Sequence, residues 1–281
     1  MKLARFGARG EEQPGIVDAA GQMRSLAGAI DDIAGATLQP LALDQLRSLD
    51  VETLPLVDSD VRIGPCVGAV GKFICIGLNY SDHAAESGME VPDEPVLFMK
   101  ATSAISGPYD DVVLPVGATK GDWEVELGVV IGSAGTNLPN AAARRHIAGY
   151  CVVNDLSDRG FQLDGTGQWV KGKSADTFAP LGPWLVTCDE VPDPQQLDIW
   201  LEVDGHRHQD GSTATMIFGV DALVAYVSRF MSLQPGDVIS TGTPPGVGLG
   251  YDPPIWLRPG NVMQLGIAGL GEQRQRVVAA P

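Results

Sequence analysis

Hydrophobic residues along this chain fall mostly in short runs rich in Val, Ile and aromatic side chains, and Gly- and Pro-rich turns separate the runs. Runs of this kind predict β-strands. We predict strands at residues 2–6, 15–19, 72–80, 96–100, 112–115, 124–131, 149–154, 184–187 and 199–203. Apolar residues at helical spacing are rarer and predict helices at 41–49, 141–147 and 220–231. The pattern predicts a mostly β protein with helices to one side, without the strand–helix alternation of a doubly wound sheet.

Turn residues and a change in composition predict how the chain is divided. The pairs Pro235-Gly236 and Pro259-Gly260 suit the central positions of type II turns that enter a strand. Between residues 55 and 70, a section of short strands and one helix gives way to a longer, strand-rich section. We therefore predict a small N-terminal α+β domain, residues 1–68, and a larger domain, residues 69–281.

Composition and charge narrow the function classes. The 281 residues are 44% hydrophobic, which is enough for a large core. The 35 acidic and 19 basic residues give a net charge of −16, which argues against nucleic acid or an anionic membrane as partner. No apolar stretch approaches the roughly 20 residues of a membrane span, and no signal peptide is evident, so we expect a cytoplasmic protein. The four cysteines form no CxxC pair, which predicts free thiols.

Two carboxylates in the predicted strand 124–131 indicate a metal site. Glu124 and Glu126 are two residues apart, so their side chains share one face of a strand. Like charges at this spacing repel, and a divalent cation between them would relieve the repulsion. A solvated acidic face is the alternative, but Asp155 supplies a third carboxylate at the end of another apolar run. Oxygen ligands without a nearby Cys or His favour Mg²⁺ or Mn²⁺ over Zn²⁺.

Two further segments carry candidate chemistry. His83 and Glu86 are three residues apart, a spacing at which a carboxylate on a helical turn can orient an imidazole as a general base. Residues 167–174, GQWVKGKS, fit the phosphate-loop pattern GxxxxGK[ST]. That motif needs a strand before it and a helix after it, and we predict neither, because polar turn residues precede it and prolines follow it. Lys173 is therefore predicted to be a fixed cation of some other site.

Five blocks of sequence resemble the fumarylacetoacetate hydrolase family, specifically its small bacterial members that act on 2,4-dioxo sugar acids and acylpyruvates. They are, in the family's order, GLNYSDHAAE, PVLFMKATSAISGP, DWEVELGVVIG, GYCVVNDLSDRGFQ to WVKGKSADTFAPLGP, and ISTGTPPGVG. The resemblance covers roughly residues 72 to 266, and the first 65 residues resemble the short leading domain of the same subgroup. It implies an α+β, mostly β fold, a mixed β-sandwich roll, in a homodimer or higher homo-oligomer.

The resemblance also implies a role for each residue that falls on a family motif. The implied metal ligands are Glu124, Glu126 and Asp155. The implied catalytic residues are His83 and Glu86, which activate water, and Lys173. The implied substrate-binding residues are Lys100, Arg159, Gln162 and Thr243. The larger domain, residues 69–281, is then the catalytic one.

The activity implied is hydrolysis of the C3–C4 bond of a 2,4-dioxo acid, with Mg²⁺ or Mn²⁺ as cofactor. The substrate would be a 2,4-diketo-3-deoxy sugar acid, and the products would be pyruvate and a carboxylic acid such as lactate. Alternatives on the same metal site are a decarboxylase or tautomerase of a 2-oxo acid and a ureidoglycolate lyase. A non-catalytic binding module with the same fold is the alternative from a different class.

Overall fold

The computed structural model describes residues 1–82 and 91–281, so His83 and Glu86 lie outside the described residues. The described part of the chain contains seventeen strands, which are β1 Lys2–Phe6, β2 Gln13–Val17, β3 Met23–Ser25, β4 Phe73–Gly77, β5 Val96–Lys100, β6 Ile105–Ser106, β7 Val112–Leu114, β8 Gly121–Asp122, β9 Val125–Ile131, β10 Ile147–Asn154, β11 Ser157–Asp158, β12 Ala179–Thr187, β13 Asp198–Val203, β14 His206–Ser212, β15 Val238–Ser240, β16 Val262–Ile267 and β17 Gly271–Ala279. The α-helices described are short, namely α1 Pro40–Arg47, α2 Asn140–Ala143, α3 Arg159–Leu163, α4 Val170–Lys173 and α5 Val220–Val227. Single 3₁₀ turns lie at Gly35–Leu38, Val51–Thr53, Thr102–Ala104, Arg144–His146, Cys188–Glu190, Thr213–Thr215 and Gly248–Gly250. The mostly β fold class is confirmed.

Two large mixed sheets make up the fold. The first has ten strands in the order β3-β2-β1-β12-β10-β9-β15-β4-β5, with β6 paired to β12. The second has the order β14-β13-β16-β17-β7, and β11 and β8 form a small separate pair. Most pairings are antiparallel, but β15 with β4, β6 with β12, and β17 with β7 are parallel.

The centre of the larger sheet is buried on both faces. Every residue of β9 and of β10 is buried, which explains why both strands are nearly continuous apolar runs. Strand β17 packs against this centre with alternating burial, and its inward side chains include Gln273 and Gln275. Gln273 Nε2 donates to the carbonyls of Val152 and Gly182, at 2.8 and 3.0 Å. The second sheet is therefore joined to the first through buried amides as well as apolar contacts.

The N-terminal section extends the large sheet. Strand β1 pairs with β12, where Leu3 lies opposite Leu185. Arg62 forms a bidentate ion pair with Asp110, at 2.8 and 2.6 Å, across the predicted boundary. The division at residue 68 stays a prediction.

The turn predictions are confirmed. Gly236 and Gly260 have φ angles of 95° and 103°, the left-handed region that the third position of a type II turn requires. A backbone hydrogen bond closes each turn, Asp237 N to Gln234 O at 3.0 Å and Asn261 N to Arg258 O at 3.1 Å. The four cysteines are free, as predicted. No helix within residues 1–82 and 91–281 is long and apolar enough to cross a membrane.

Candidate metal centre and active site

Strands β9 and β10 bring the three predicted metal ligands together. Glu124 directly precedes β9, Glu126 lies within it, and Asp155 directly follows β10. Because Val125 lies opposite Asn154 in the antiparallel pair, the carboxylates meet at one end of the two strands. Asp155 N donates to Glu124 O at 2.8 Å, which ties the two segments together. One oxygen from each carboxylate lies within 4.8 Å of the others, and all three residues are buried.

Three cationic side chains surround the acidic triad, which we define as Glu124, Glu126 and Asp155. Lys173 Nζ lies 2.6 Å from Glu124 Oε2 and 3.0 Å from Asp155 Oδ2. Arg159 Nη2 donates to Glu124 Oε1 at 2.5 Å. Lys100 Nζ donates to Asp155 Oδ1 and to the carbonyl of Leu156. The second lysine of the sequence motif GQWVKGKS, Lys173, thus contacts carboxylates.

Burial and charge set the protonation behaviour of the triad. Burial acts to raise the pKa of Glu124, but the charges of Lys173 and Arg159 overcome it and hold that pKa at about 2. Burial, together with the negative charges of Asp155 and Glu124, raises the pKa of Glu126 well above its ordinary value. Burial also acts to lower the pKa of Lys173, but Asp155 and Glu124 raise it overall. The triad therefore disfavours the ionised form of Glu126, and a bound cation would relieve the repulsion that disfavours it.

Asp122 is a functional residue that sequence reasoning missed. Its Oδ2 accepts from Arg159 Nε at 2.7 Å, so the Arg159 guanidinium is hydrogen-bonded to both Asp122 and Glu124. Its Oδ1 accepts from the backbone N–H of Gly248 at 2.6 Å. The signal was present in the sequence, because residues 122, 124 and 126 continue the same two-residue alternation. Asp122 orients the guanidinium while lying outside the acidic triad.

The end of β15 and the loop after it hold Glu126. Ser240 Oγ donates to Glu126 Oε2 at 2.5 Å, and the backbone N–H of Gly242 donates to the same oxygen at 2.9 Å. Gly242 has a φ of 95°, and a Cβ there would meet Asn79 at 2.8 Å, so this close approach requires glycine. Both hydrogen bonds go to Oε2, which leaves Oε1 for a cation.

A cavity of about 320 Å³ opens above this cluster. Its polar lining combines charged and uncharged side chains, namely Glu124, Glu126, Arg159, Gln162, Lys173 and Thr243. Its apolar lining consists of Ile76, Leu78, Phe98, Leu163, Trp169, Val247 and Leu249, together with Gly77 and Gly250. Arg159 Nη1 donates to Gln162 Oε1 at 3.0 Å, so the Gln162 amide N–H₂ can face a ligand. The cavity therefore offers both a charged cluster and apolar surface to a ligand.

The structure brings most of the predicted site residues together around this cavity. Asp155 and Lys100 are the exceptions among those described, because neither lines the cavity, and Lys100 contacts Asp155 instead. Burial lowers the pKa of Lys100, although Asp155 acts to raise it. Its predicted contact with substrate stays a prediction, and so do the roles of His83 and Glu86.

The donor set fits a hard divalent cation. The triad offers only carboxylate oxygens, and the side chains that form ion pairs with it within the described residues carry ammonium and guanidinium groups. Mg²⁺ and Mn²⁺ prefer such oxygen ligands. An acidic triad that could bind a metal ion is therefore present, at the place that the sequence predicted.

Comparison with known proteins agrees with this geometry. The model of the fumarylacetoacetate (FAA) hydrolase C-terminal family matches residues 72–278. A Burkholderia cenocepacia protein named provisionally as a hydrolase is 60% identical over 98% of both chains. The crystal structure of fumarylacetoacetate hydrolase from Exiguobacterium antarcticum has a TM-score of 0.88 and 34% identity over 100% of both chains. Maleylpyruvate hydrolase from Sphingobium sp. SYK-6, in complex with manganese(II) and pyruvate, has a TM-score of 0.83 and 28% identity over 100% of both chains. The chain belongs to the fumarylacetoacetate hydrolase family.

Proposed function

We propose that this protein is a metal-dependent hydrolase that cleaves the C3–C4 bond of a 2,4-dioxo acid into pyruvate and a second carboxylic acid. The observation that carries the proposal is the acidic triad beside a cavity that two of its members, Glu124 and Glu126, line together with Lys173 and Arg159. The maleylpyruvate hydrolase relative, whose structure holds Mn²⁺ and pyruvate, supports the same chemistry.

The charge balance of the acidic triad and its charged neighbours supports an anionic substrate. Four carboxylates, those of Asp122 and the triad, face three cations, those of Lys100, Arg159 and Lys173. The ionised cluster therefore carries one negative charge, and a divalent cation would make it one positive charge. A substrate carboxylate would then enter a site of opposite charge, which the overall charge of −16 does not otherwise provide.

The residues of the cavity have distinct parts in the proposed reaction. A divalent ion held by the triad supplies Lewis-acid polarisation of the 2-oxo group. Lys173 stabilises negative charge that develops on the 2-oxo oxygen as the C3–C4 bond breaks, because its ammonium is fixed by Glu124 and Asp155. Arg159 and Gln162 orient the substrate, since Asp122 fixes the guanidinium and the guanidinium fixes the amide.

A water molecule must attack C4, and it needs a base. We propose His83 for this step, with Glu86 as its partner, from the sequence resemblance; both lie outside the described residues. A general base of this kind contributes about 10²- to 10⁴-fold in rate.

The substrate tail is proposed to be the short lactoyl group of a 2,4-diketo-3-deoxy sugar acid. Its hydroxyl can pair with Gln162 or Thr243, and its methyl group can contact apolar lining residues such as Leu249. The homodimer implied by the resemblance is likewise a proposal, which light scattering of the purified protein tests.

The deciding experiment is turnover of a panel of 2,4-dioxo acids with Mg²⁺ or Mn²⁺, with coupled detection of pyruvate. We expect stoichiometric pyruvate and acid from at least one member, and none after chelation of the metal. Loss of C1 as carbon dioxide would instead indicate a decarboxylase, and a change in ultraviolet absorbance without pyruvate would indicate a tautomerase. Binding of dioxo acids without any turnover would indicate a binding module.

A further inference from the structure

The hydrogen-bond ladder beside β9 ends before it reaches the two glutamates. Strand β15 pairs with β9 only at residues 128 to 130. The chain then leaves the sheet, so β15 offers no backbone partner to Val125, the residue between Glu124 and Glu126. A buried backbone without a partner would be costly and poorly fixed.

Two side chains form the backbone hydrogen bonds with Val125 that a neighbouring strand would otherwise form. Gln209 Oε1 accepts from the N–H of Val125 at 3.0 Å. Thr243 Oγ1 donates to the carbonyl of Val125 at 2.8 Å. Gln209 Nε2 donates to Thr243 Oγ1 at 2.7 Å, which links the two side chains to each other. We call Gln209, Thr243 and the backbone of Val125 the glutamine–threonine clamp.

The fixed roles of backbone N–H groups as donors and carbonyls as acceptors determine every donor and acceptor of the clamp. An N–H can only donate, so the atom of Gln209 that faces Val125 N must be the carbonyl oxygen. A carbonyl can only accept, so the atom that faces Pro244 O, at 2.8 Å, must be the amide nitrogen. The single hydroxyl hydrogen of Thr243 then goes to Val125 O. Thr243 has no hydrogen left to donate to a substrate carbonyl, although it lines the cavity.

The clamp also joins the two sheets at the site. Gln209 belongs to β14 in the second sheet, whereas Val125 begins β9 in the first. Gln209 and Val125 are completely buried, and Thr243 is 5% exposed, so water does not compete for these bonds. We propose that Gln209 and Thr243 are positioning residues that hold Glu124 and Glu126 at the separation needed for the metal ion. This inference rests on the proposed metal-dependent function.

The test is Mn²⁺ affinity, measured by electron paramagnetic resonance of the purified protein. Gln209→Leu and Thr243→Val remove the two side-chain partners of Val125, and Thr243→Ser retains the hydroxyl. We expect the first two variants to bind Mn²⁺ about 10- to 100-fold more weakly, as loss of residues that orient metal ligands does elsewhere. The double variant should lose little more than either single variant, because the clamp acts as one unit. Thr243→Ser should stay within about threefold of the parent.

A matched control separates positioning from general damage. Gln195 is another glutamine that bonds to backbone, accepting from Val220 N at 2.8 Å and donating to Thr213 O at 3.1 Å, and it does not line the cavity. Gln195→Leu should leave Mn²⁺ affinity unchanged. Circular dichroism and thermal melts show whether each variant folds. If Gln209→Leu does not fold, the comparison of Thr243→Val with the parent tests the proposal.

Three outcomes are distinguishable. Unchanged Mn²⁺ affinity in folded Gln209→Leu and Thr243→Val would overturn the clamp. A raised KM in Thr243→Val at saturating Mn²⁺, with unchanged metal affinity, would leave Thr243 as a substrate contact without a positioning role. Absence of Mn²⁺ binding by the parent protein would overturn the proposed metal centre itself.

Discussion

Lys173 Nζ bridges Glu124 and Asp155, at 2.6 and 3.0 Å, while Glu126 forms no ion pair within residues 1–82 and 91–281. Lys173 therefore compensates two carboxylates of the acidic triad, together with Arg159 and Lys100. The third, Glu126, depends on hydrogen bonds from Ser240 and Gly242. This asymmetry makes Glu126 the ligand whose charge most needs the metal ion.

Removal of the metal or of Glu126 should abolish activity. We expect EDTA to stop turnover and Mg²⁺ or Mn²⁺ to restore it, and Glu126→Ala to lose most metal binding, because a hard cation needs all three carboxylates. Calorimetric titration with Mn²⁺ measures the loss. Asp237→Asn is the control, since Asp237 is also buried but bonds to the backbone N–H of Lys72 and Gln234. Full activity in metal-free protein would contradict the assignment.

His83→Ala should separate hydrolysis from metal binding. Its removal should lower hydrolysis by a factor of at least about 10², because the attacking water loses its base. Mn²⁺ affinity should be nearly unchanged, and any decarboxylation should suffer less because it needs no attacking water. His206→Ala, at an exposed position of β14, is the control. If metal affinity falls together with the rate, His83 is a metal ligand.

Lys173 should not bind nucleotide, despite its phosphate-loop pattern. It ends the four-residue helix α4, it is 1% exposed, and its ammonium is occupied by Glu124 and Asp155. Phosphate oxygens at this position would meet carboxylates. Calorimetry with ATP and Mg²⁺ should show no binding, whereas oxalate, a mimic of pyruvate enolate, should bind in the presence of Mn²⁺. Micromolar affinity for ATP would overturn this interpretation.

The substrate with a lactoyl tail should be preferred over substrates with an acetyl or a fumaryl tail. We expect the 2,4-diketo-3-deoxy sugar acid to have the highest kcat/KM in a panel that includes acetylpyruvate and fumarylpyruvate. A tenfold advantage for either of the latter corresponds to about 1.4 kcal/mol in transition-state binding. That result would make the sugar-acid assignment wrong and leave the hydrolase mechanism intact. The extensive apolar lining, including Phe98 and Trp169, makes this comparison informative.

Lowering the pH should weaken the ion pair between Arg62 and Asp110. Burial acts to raise the pKa of Asp110, but hydrogen bonds from Arg62 and Gly107 lower it overall. A carboxyl with a lowered folded-state pKa stabilises the fold above its unfolded value, about 3.9, and this contribution disappears as pH falls through the folded value. Asp110→Asn should therefore cost about 1 kcal/mol in the free energy of unfolding at pH 7 and much less near pH 2.

Urea denaturation at the two pH values checks this. Asp111→Asn is the matched control, because Asp111 pairs with Arg276 where both side chains are well exposed, 43% and 61%. Its effect should stay within about 0.5 kcal/mol at either pH. If Asp110→Asn lowers the free energy of unfolding equally at both pH values, the ionisation of Asp110 does not contribute to stability.

The sequence pattern predicted strands correctly where the buried side chains are apolar and the exposed side chains are polar. Strand β5, Val96–Lys100, has the predicted bounds, and β9 begins one residue later than predicted. Strand β17 was not predicted, because its buried side chains include Gln273 and Gln275, so the apolar alternation that marks a strand is absent. Tertiary hydrogen bonds make those amides suitable for the interior, and no local pattern reveals them.

Helix predictions near the site were less accurate. Polar turn residues were predicted before the motif GQWVKGKS, but Arg159–Leu163 forms helix α3 there. Asp158 Oδ1 accepts from Phe161 N at 2.8 Å as a helix cap. The predicted helix 141–147 keeps α-geometry only through Ala143 and then tightens into a 3₁₀ turn. For the site, the spacing of Glu124 and Glu126 and the chemistry of Asp155 were sufficient. Gln209 was not predictable, because it lies 84 residues from Val125 in sequence.

The buried amides of β17 also constrain the order in which the protein can mature. Asn154 Nδ2 donates to Gln275 Oε1 at 3.2 Å, across 121 residues, and Asn154 immediately precedes the ligand Asp155. During synthesis, β9 and β10 therefore leave the ribosome long before the strand that completes the hydrogen bonding behind them. No nascent chain that stops before residue 275 contains all the partners of the acidic triad's supporting strands. We therefore expect the candidate metal site to be completed late in biosynthesis, through contacts between distant parts of the chain.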